Sequence, residues 1–274
     1  MNKVAKTIIL KTRKQVFGSL SGNHISILKG EGFEFRELRE YVHGDDVKKI
    51  DWKTTAKARK PYVKEYDEER DLNIVISTML SGSTFFGTDI QKKDYIIEIM
   101  ALIGFGAVRN RDFFSHILYA DKLYRASKPS KKIFAVEKEI EEASSFNVIG
   151  KPANYIGWID ELSKRVRKRS VLVLIGDFVG DINLSILAKK HDLVVIIVRD
   201  RFIANPKPLG EVTLVDPGYL TSFSGNVDEI ALEKYTQALK NNDDKLFQHL
   251  KKIGARFTKI YTDQNAYLHL VKRI

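Results

Sequence analysis

The pattern of hydrophobic and polar positions changes near residue 70. Before that point the chain is polar, charged and punctuated by glycine, and two alternating stretches, residues 32–41 and 60–66, predict strands. Between them, residues 45–58 predict a turn and a short helix, with Asp45 or Asp46 as the N-cap. Because no long amphipathic period occurs there, this region can bury little apolar surface by itself. We therefore expect it to pack against the domain that follows.

From Leu72 onward, predicted strands alternate with predicted helices. The strands include continuous apolar runs of the kind that is buried on both faces of a sheet. They are predicted at residues 72–78, 113–119, 122–126, 171–175, 193–198, 211–215 and 257–261. Helices are predicted at residues 88–108, 131–143, 155–167, about 226–253 and the C-terminus, with a loop rich in Pro, Gly and Ser before residue 226. The alternation predicts an α/β fold with a doubly wound, mainly parallel sheet and a small N-terminal lobe.

Composition excludes some chemistry and leaves a question about charge. The chain has 274 residues, 43% of them hydrophobic, and no cysteine, which excludes disulfides, zinc–thiolate sites and thiol catalysis. Its net charge of +11 raises the possibility of nucleic-acid binding, with basic clusters at residues 11–14, 128–132 and 164–169. Since no aromatic residues are interleaved with these clusters, we interpret them as solvated surface and consider nucleic acid an unlikely partner.

Membrane and export signals are weak in this sequence. The most apolar run, residues 95–108, is too short to span a bilayer and contains Glu98. Residues 1–14 have a short apolar stretch with lysines on both sides, but no signal-peptide core or cleavage site. We expect a soluble, cytoplasmic protein without a transmembrane segment.

A dense motif block of charged and aromatic residues occupies residues 30–70. Its residues are Arg36, Glu37, Arg39, Tyr41, Gly44, Asp45, Asp46, Asp51, Trp52, Tyr62, Lys64 and Glu65. In order and spacing they resemble the family catalogued as domain of unknown function 58. Lys48 and Lys64 stand where that family has arginines, which keeps the charge but not the bidentate fork.

This resemblance implies a domain organisation and a function. It implies a family-specific lobe over residues 1–70 and a von Willebrand factor A-like domain over residues 71–274. It also implies a non-enzymatic protein–protein interaction module that acts as an adaptor for a MoxR-type AAA+ ATPase during assembly or remodelling of client complexes. The alternative is a basic protein that binds nucleic acid or hydrolyses a substrate with the help of a metal.

Domains of the von Willebrand A type carry a magnesium site at the carboxyl edge of the sheet, built from D-x-S-x-S, a threonine and an aspartate. Alignment of Ser81 and Ser83 with that pattern puts Met79 where the first aspartate belongs. Residues 152–154 are Pro-Ala-Asn, where a Thr-Asp pair is expected. Only Ser81, Ser83 and Asp177 remain, which is a weak set for a hard cation. We predict no functional metal, with weak magnesium binding at these three residues as the alternative.

The two remaining site predictions concern protein contacts. At the carboxyl edge, Phe85, Phe86 and Phe178 accompany Ser81, Ser83 and Asp177, and we expect a partner to dock there. In the motif block we expect a structural network. Its cations would be Arg36, Arg39 and Lys64, its acids Glu37, Asp45, Asp46 or Glu65, and its apolar anchors Trp52 and Tyr41. A partner-binding surface is the alternative for the block.

Catalytic interpretations of the motif block are weaker. His43, Asp45 and Asp46 suggest metal ligands, but no second histidine follows at a suitable spacing. Asp46 with Asp51 and Lys53 imitates a nuclease core, although the two acids lie too close together to occupy adjacent strands. No phosphate-binding glycine loop and no nucleophile elbow occur in the sequence.

Overall fold

A computed structural model describes residues 2–18, 35–45, 47, 50–58, 60–66 and 71–273, without the side chains of 35–37, 64–66 and 273. The chain divides into two compact units, the first formed by residues 1–28 with 72–274 and the second by residues 29–71. One border between the units, between residues 71 and 72, lies near the boundary that we predicted at residue 70. The predicted lobe, however, included the N-terminal helix, which belongs to the larger unit.

Ten strands and nine α-helices occur in the described residues. The strands are β1 Phe35–Glu40, β2 Tyr62–Tyr66, β3 Asn73–Met79, β4 Phe113–Tyr119, β5 Leu123–Ala126, β6 Val171–Gly176, β7 Asp192–Arg199, β8 Gly210–Val215, β9 Ser222–Val227 and β10 Arg256–Tyr261. The helices are α1 Lys3–Gly18, α2 Trp52–Ala58, α3 Lys92–Arg109, α4 Ile133–Ser145, α5 Tyr155–Arg165, α6 Ser185–Lys190, α7 Arg201–Ala204, α8 Glu229–Lys252 and α9 Ala266–Arg273.

The larger unit is built on a six-stranded sheet with the order β10-β7-β6-β3-β4-β5. All neighbouring pairs are parallel except β4 and β5, which are antiparallel. Counted along the chain, this is the 3-2-1-4-5-6 order of doubly wound sheets. The order reverses between β3 and β6, so the crevice that usually binds ligands in such folds lies at the carboxyl ends of these two strands. The predicted fold class, a mainly parallel α/β sheet, is confirmed.

Hydrophobic cores cover both faces of the sheet. On one face, Ile74, Ile76 and Val173 pack with α3, which is buried over nearly its whole length because α1 and α4 cover its outer side. On the other face, Val75 and Leu172 pack with α5, α6 and α8. The complete burial of α3 explains the run of apolar residues that the sequence shows at 95–108.

Helix α1 was not predicted. Its buried side chains, Ala5, Ile8, Ile9 and Val16, recur at helical spacing and join the core formed by α3 and α4. Lys11 Nζ lies 2.7 Å from Glu98 Oε1, which gives the one carboxylate of the apolar α3 run a partner.

Two other boundaries differ from the prediction. The loop predicted before residue 226 contains strand β9, which pairs with β8 in an exposed antiparallel hairpin. Helix α3 begins at Lys92 and not at Thr88, because the backbone N–H and hydroxyl of Thr88 donate to Asp200 at 2.9 and 2.8 Å.

Candidate functional site

Three loops meet at the carboxyl edge of the sheet, beside the switch point. They are residues 80–91 after β3, residues 146–154 before α5 and the turn at residues 216–221 between β8 and β9. Gly82 N donates to Lys151 O and Gly150 N donates to Pro217 O, both at 2.8 Å. A Cβ at Gly82 would come within 2.3 Å of the Gly218 backbone, so this approach of two loops requires glycine.

An ammonium–carboxylate pair is buried below these loops. Lys92 opens α3, Asp177 follows β6, and Lys92 Nζ donates to Asp177 Oδ2 at 3.0 Å. The two side chains are 3% and 1% exposed. Ser83 donates a further hydrogen bond to the Asp177 carboxylate, and the hydroxyls of Ser83 and Ser81 are 2.9 Å apart. The structure thus brings Ser81, Ser83 and Asp177 together and adds Lys92.

The charge state of Asp177 follows from these contacts. Burial by itself would raise the pKa of Asp177, but the Lys92 ammonium, the two hydrogen bonds and nearby Arg199 together lower this pKa below its ordinary value. Burial first, and the Asp177 charge second, raise the pKa of Tyr155 well above that of a free phenol. At neutral pH, Asp177 is a carboxylate and Tyr155 is a neutral phenol.

The residues at this edge do not suit a divalent cation. Met79, at the position of the first metal-binding aspartate, is fully buried against Gly176: a Cβ on Gly176 would come within 3.1 Å of the Met79 Cβ. Ala153, at the position of the threonine, packs against the hydrophobic core. Asp177, the carboxylate of the predicted metal site, already holds a monovalent cation in Lys92. A hard dication needs several oxygen ligands with net negative charge, and here it would have to displace an ammonium group.

Half of the residues predicted to bind a partner at this edge are inaccessible. Phe178 is completely buried and its ring stacks on Tyr155, with an interplanar angle of 8° and centroids 6.3 Å apart. Its prediction as an exposed docking residue was wrong, because the chain turns inward after β6 at a positive φ of 49°. Ser81 and Asp177 are buried as well and cannot touch a partner. Phe85 and Phe86 are exposed, at 42% and 40%.

Exposed apolar side chains gather on the three loops at this edge. Phe85 lies on the first loop, Ile149 on the second, and Tyr219 and Leu220 on the third. Phe85 belonged to the predicted docking residues, as did Phe86, which is exposed on the same loop. The other three lie far away in the sequence, and no periodic pattern marks them as neighbours.

A second buried charged group lies at the ends of β7 and β10. Arg199 is fully buried, and its Nη2 donates to Asp243 Oδ1 at 2.6 Å, while Lys259 Nζ donates to Asp243 Oδ2 at the same distance. Sequence reasoning missed this group and Lys92. The signal available for Arg199 was its position at the end of an otherwise apolar strand, because such a charge needs a buried partner.

In the second unit, the motif block forms a compact hydrogen-bonded structure. Strand β1 pairs antiparallel with β2. Both Nη atoms of Arg39 donate to the Asp45 carboxylate, at 2.7 and 2.8 Å, and Val42 N donates to the same carboxylate at 2.9 Å. This pair agrees with the predicted structural network. Asp51, and not Asp45, begins α2, since its carboxylate accepts from Lys53 N and Thr54 Oγ1.

Other predictions for the block have different outcomes. Trp52, predicted as an apolar anchor, is 65% exposed, because it opens α2 on a side with no buried residue. Tyr41 and Tyr62 are partly buried, and Gly44 adopts a positive φ of 109° in the turn before Asp45. Other predictions concern Asp46 and the side chains of Arg36, Glu37, Lys64 and Glu65, which lie outside the described part of the structure.

The described residues contain neither a membrane-spanning helix nor a metal-binding cluster. Among the described residues, no helix is both long and apolar enough to cross a bilayer. The same residues contain no group of three or more His, Asp or Glu side chains arranged to hold a metal ion.

Several known proteins are similar to this chain. Uncharacterized proteins of Mycobacterium tuberculosis and Mycobacterium bovis are 26% identical over 97% of this chain and 86% of their own length. Solved structures that resemble the fold include the conserved hypothetical protein BatB of Bacteroides thetaiotaomicron, with 9% identity, a TM-score of 0.45 and coverage of 74% and 96% of the two chains. The von Willebrand factor domain of the pilus tip protein Mfa5 of Porphyromonas gingivalis has 13% identity, a TM-score of 0.28 and coverage of 73% and 86%.

The family assignment rests on a match over most of the sequence. The model of the family described as "Protein of unknown function DUF58" matches residues 37–243. The chain therefore belongs to this family, as the motif block predicted.

Proposed function

We propose that this protein is a non-enzymatic protein–protein interaction module that docks its partner at the carboxyl edge of the sheet. The observation that carries the proposal is the group of exposed apolar side chains on three touching loops, Phe85, Ile149, Tyr219 and Leu220. Large apolar and aromatic side chains beside polar loop groups are typical of protein interfaces, where a few such residues supply most of the binding energy.

The charged groups below the loops support a role other than catalysis. Lys92 and Asp177 neutralise each other in a nearly inaccessible pair, and buried Arg199 pairs with Asp243, which also binds Lys259. A general acid or base must reach the proton that it transfers, and buried paired groups of this kind do not reach solvent. We propose that they hold the loops in place and that no cofactor takes part.

The proposed partner is a MoxR-type AAA+ ATPase, with this protein as its adaptor toward client complexes. This identification of the partner rests on the family resemblance of the motif block. We also propose a cytoplasmic location, which would suit a chain without cysteine.

Direct binding to a purified MoxR-type ATPase from the same organism tests the proposal. The full chain is immobilised and the ATPase is titrated by interferometry, with and without ATP. We expect saturable binding that the double substitution Phe85→Ala/Leu220→Ala weakens by about tenfold or more, since each removes an exposed apolar anchor. Phe134→Ala is the control, because Phe134 is 70% exposed, more than Phe85 or Leu220, but belongs to the first turn of α4 and not to the three loops.

Three outcomes would contradict parts of this proposal. Binding that is unchanged in the double variant would place the docking surface elsewhere. A failure of the ATPase to bind at all would disprove the MoxR-type ATPase as the partner. Salt-sensitive binding of a duplex or single-stranded oligonucleotide in place of a protein would favour the nucleic-acid alternative.

A further inference from the structure

A groove of about 580 Å³ opens at the opposite, amino-terminal edge of the sheet. Its floor is formed by the first residues of β3 and β4, including Asn73, Val75 and Ser115. The groove exists because α5 is too short to cover these strands. Its 11 residues span about 16 Å, whereas the seven residues of β3 span about 23 Å.

Two basic clusters that are distant in the sequence converge on this groove. Lys128, after β5, lies on one side, and Lys164, Arg165, Arg167 and Lys168, at the end of α5, lie on the other. No acidic residue is found among the described residues that line it. The groove is therefore a concentrated positive site, and the sequence alone could not show that the two clusters share it.

The cations of the groove differ in how far they are neutralised. Lys164 and Arg165 pair with Asp160 and Glu161 one helical turn earlier. Lys128, Arg167 and Lys168 are exposed and form no ion pair with another described residue. Three cations around one concave surface raise the local concentration of an anionic ligand and favour its association.

We infer that this groove binds an acidic segment of a protein partner, at a surface separate from the carboxyl edge. The cations would contact carboxylates, and the exposed apolar residues of the lining, Ala126 and Pro129, would contact aliphatic side chains of the same segment. Single-stranded nucleic acid fits less well, because none of the described lining residues is aromatic and stacking platforms are the usual means of holding bases.

A fluorescein-labelled peptide of alternating Glu and Val, about ten residues long so that it spans the groove, is the probe. Fluorescence anisotropy with the full chain, at about 20 mM salt, measures its affinity. We expect the triple variant Lys128→Gln/Arg167→Gln/Lys168→Gln to bind it about tenfold more weakly or worse. The control variant Lys189→Gln/Lys207→Gln/Lys245→Gln loses the same three charges at exposed positions outside the groove and should change affinity by less than about twofold.

The remaining arms of the experiment decide between ligands. A peptide of alternating Gln and Val should not bind, and its binding as tightly as the Glu peptide would overturn the role of charge. Equal losses in both triple variants would mean that overall charge alone attracts the peptide, and the groove would not be a site. A thymidine oligonucleotide that binds more tightly than the peptide, with the same dependence on the groove cations, would show a nucleic-acid site and refute the inference. Neither variant touches the carboxyl edge, so a failure here leaves the proposed function standing.

Discussion

Lys92 determines the chemistry of the carboxyl edge. A lysine in the first turn of a helix is disfavoured by the helix dipole, so its burial at the start of α3 requires a nearby anion, and Asp177 supplies it. The Lys92 ammonium therefore neutralises the Asp177 carboxylate. In a metal-binding domain of this type, a bound dication would do so. Ser81 and Ser83 then form a hydrogen bond with each other, and Ser83 forms one with Asp177, instead of binding a metal.

The first prediction is that the protein does not bind magnesium at millimolar concentration. Calorimetric titration with Mg²⁺ or Mn²⁺ should show no saturable heat, because a dication would need to expel Lys92 from a buried site. The double variant Met79→Asp/Lys92→Ala restores a second carboxylate and removes the ammonium group, and we expect it to gain saturable binding. Submillimolar affinity in the unaltered chain that Asp177→Ala abolishes would disprove the prediction.

The second prediction concerns the coupling between Lys92 and Asp177. Lys92→Met should cost about 3–5 kcal/mol of unfolding free energy, since it leaves a buried carboxylate without its cation. Lys92→Met/Asp177→Asn should cost clearly less than the sum of the two single changes, because the double variant buries no net charge. Urea denaturation of the four proteins measures this difference.

An exposed ion pair provides the comparison for this set of four proteins, which forms a double-mutant cycle. Arg256 and Asp192 are 2.8 Å apart and largely in solvent, so breaking them should cost no more than about 1 kcal/mol. Strictly additive effects of the Lys92 and Asp177 substitutions would show that the two side chains do not stabilise each other.

Part of this site was predictable and part was not, for a physical reason. Ser81, Ser83 and Asp177 follow the ends of two apolar strands, and parallel strands deliver their carboxyl ends to one edge. Lys92 lies 85 residues before Asp177, at the start of an apolar helix, and nothing local shows where its side chain points. The burial of Phe178 depends likewise on one positive φ angle and on the distant ring of Tyr155.

Among the secondary-structure elements, the strands of the large sheet were predicted better than helix α1 and strand β9, which lie outside it. Strands β3, β6 and β7 are continuous apolar runs with one plausible location, a sheet buried on both faces. Helix α1 was missed because its apolar residues are few and are surrounded by lysines, so its buried stripe is visible only beside α3. Strand β9 was missed because serine and glycine favour loops and its pairing with β8 decides its structure.

The third prediction is that α1 is an essential part of the hydrophobic core. Ile8 is 6% exposed and contributes to the cluster around α3, so Ile8→Ala should lower the unfolding free energy by about 2–4 kcal/mol. Leu10→Ala is the matched control on the same helix, because Leu10 is 61% exposed and its truncation should cost less than about 0.5 kcal/mol. Equal effects of the two substitutions in urea denaturation would mean that α1 does not pack as the structure shows.

At the scale of the whole molecule, the second unit is an insertion between α1 and the first strand of the large sheet. The end of α1 and the start of β3, which flank this insertion in the described residues, lie near the same end of α3. Arg109, the last residue of α3, donates to Val16 O near the end of α1. Leu72 N donates to Asp112 Oδ1 at 2.9 Å, three residues after that helix end. Such closeness of the chain segments that flank an inserted unit is common in domain insertions.

The final prediction is that the larger unit folds without the inserted one. Replacing residues 29–71, which make up the second unit, by a Gly/Ser linker of about ten residues, which reaches about 18 Å, should leave a soluble protein with a single cooperative thermal transition. Deleting residues 1–71 altogether should give aggregated protein, because it removes α1 and exposes the outer side of α3 and α4. The two deletions share the loss of the motif block and differ in α1, so a difference between them isolates the helix. If the linker variant also aggregates, the larger unit needs the motif block for its stability, and the predicted N-terminal lobe is part of one folding unit. If both variants fold, α1 is dispensable and the third prediction fails with this one.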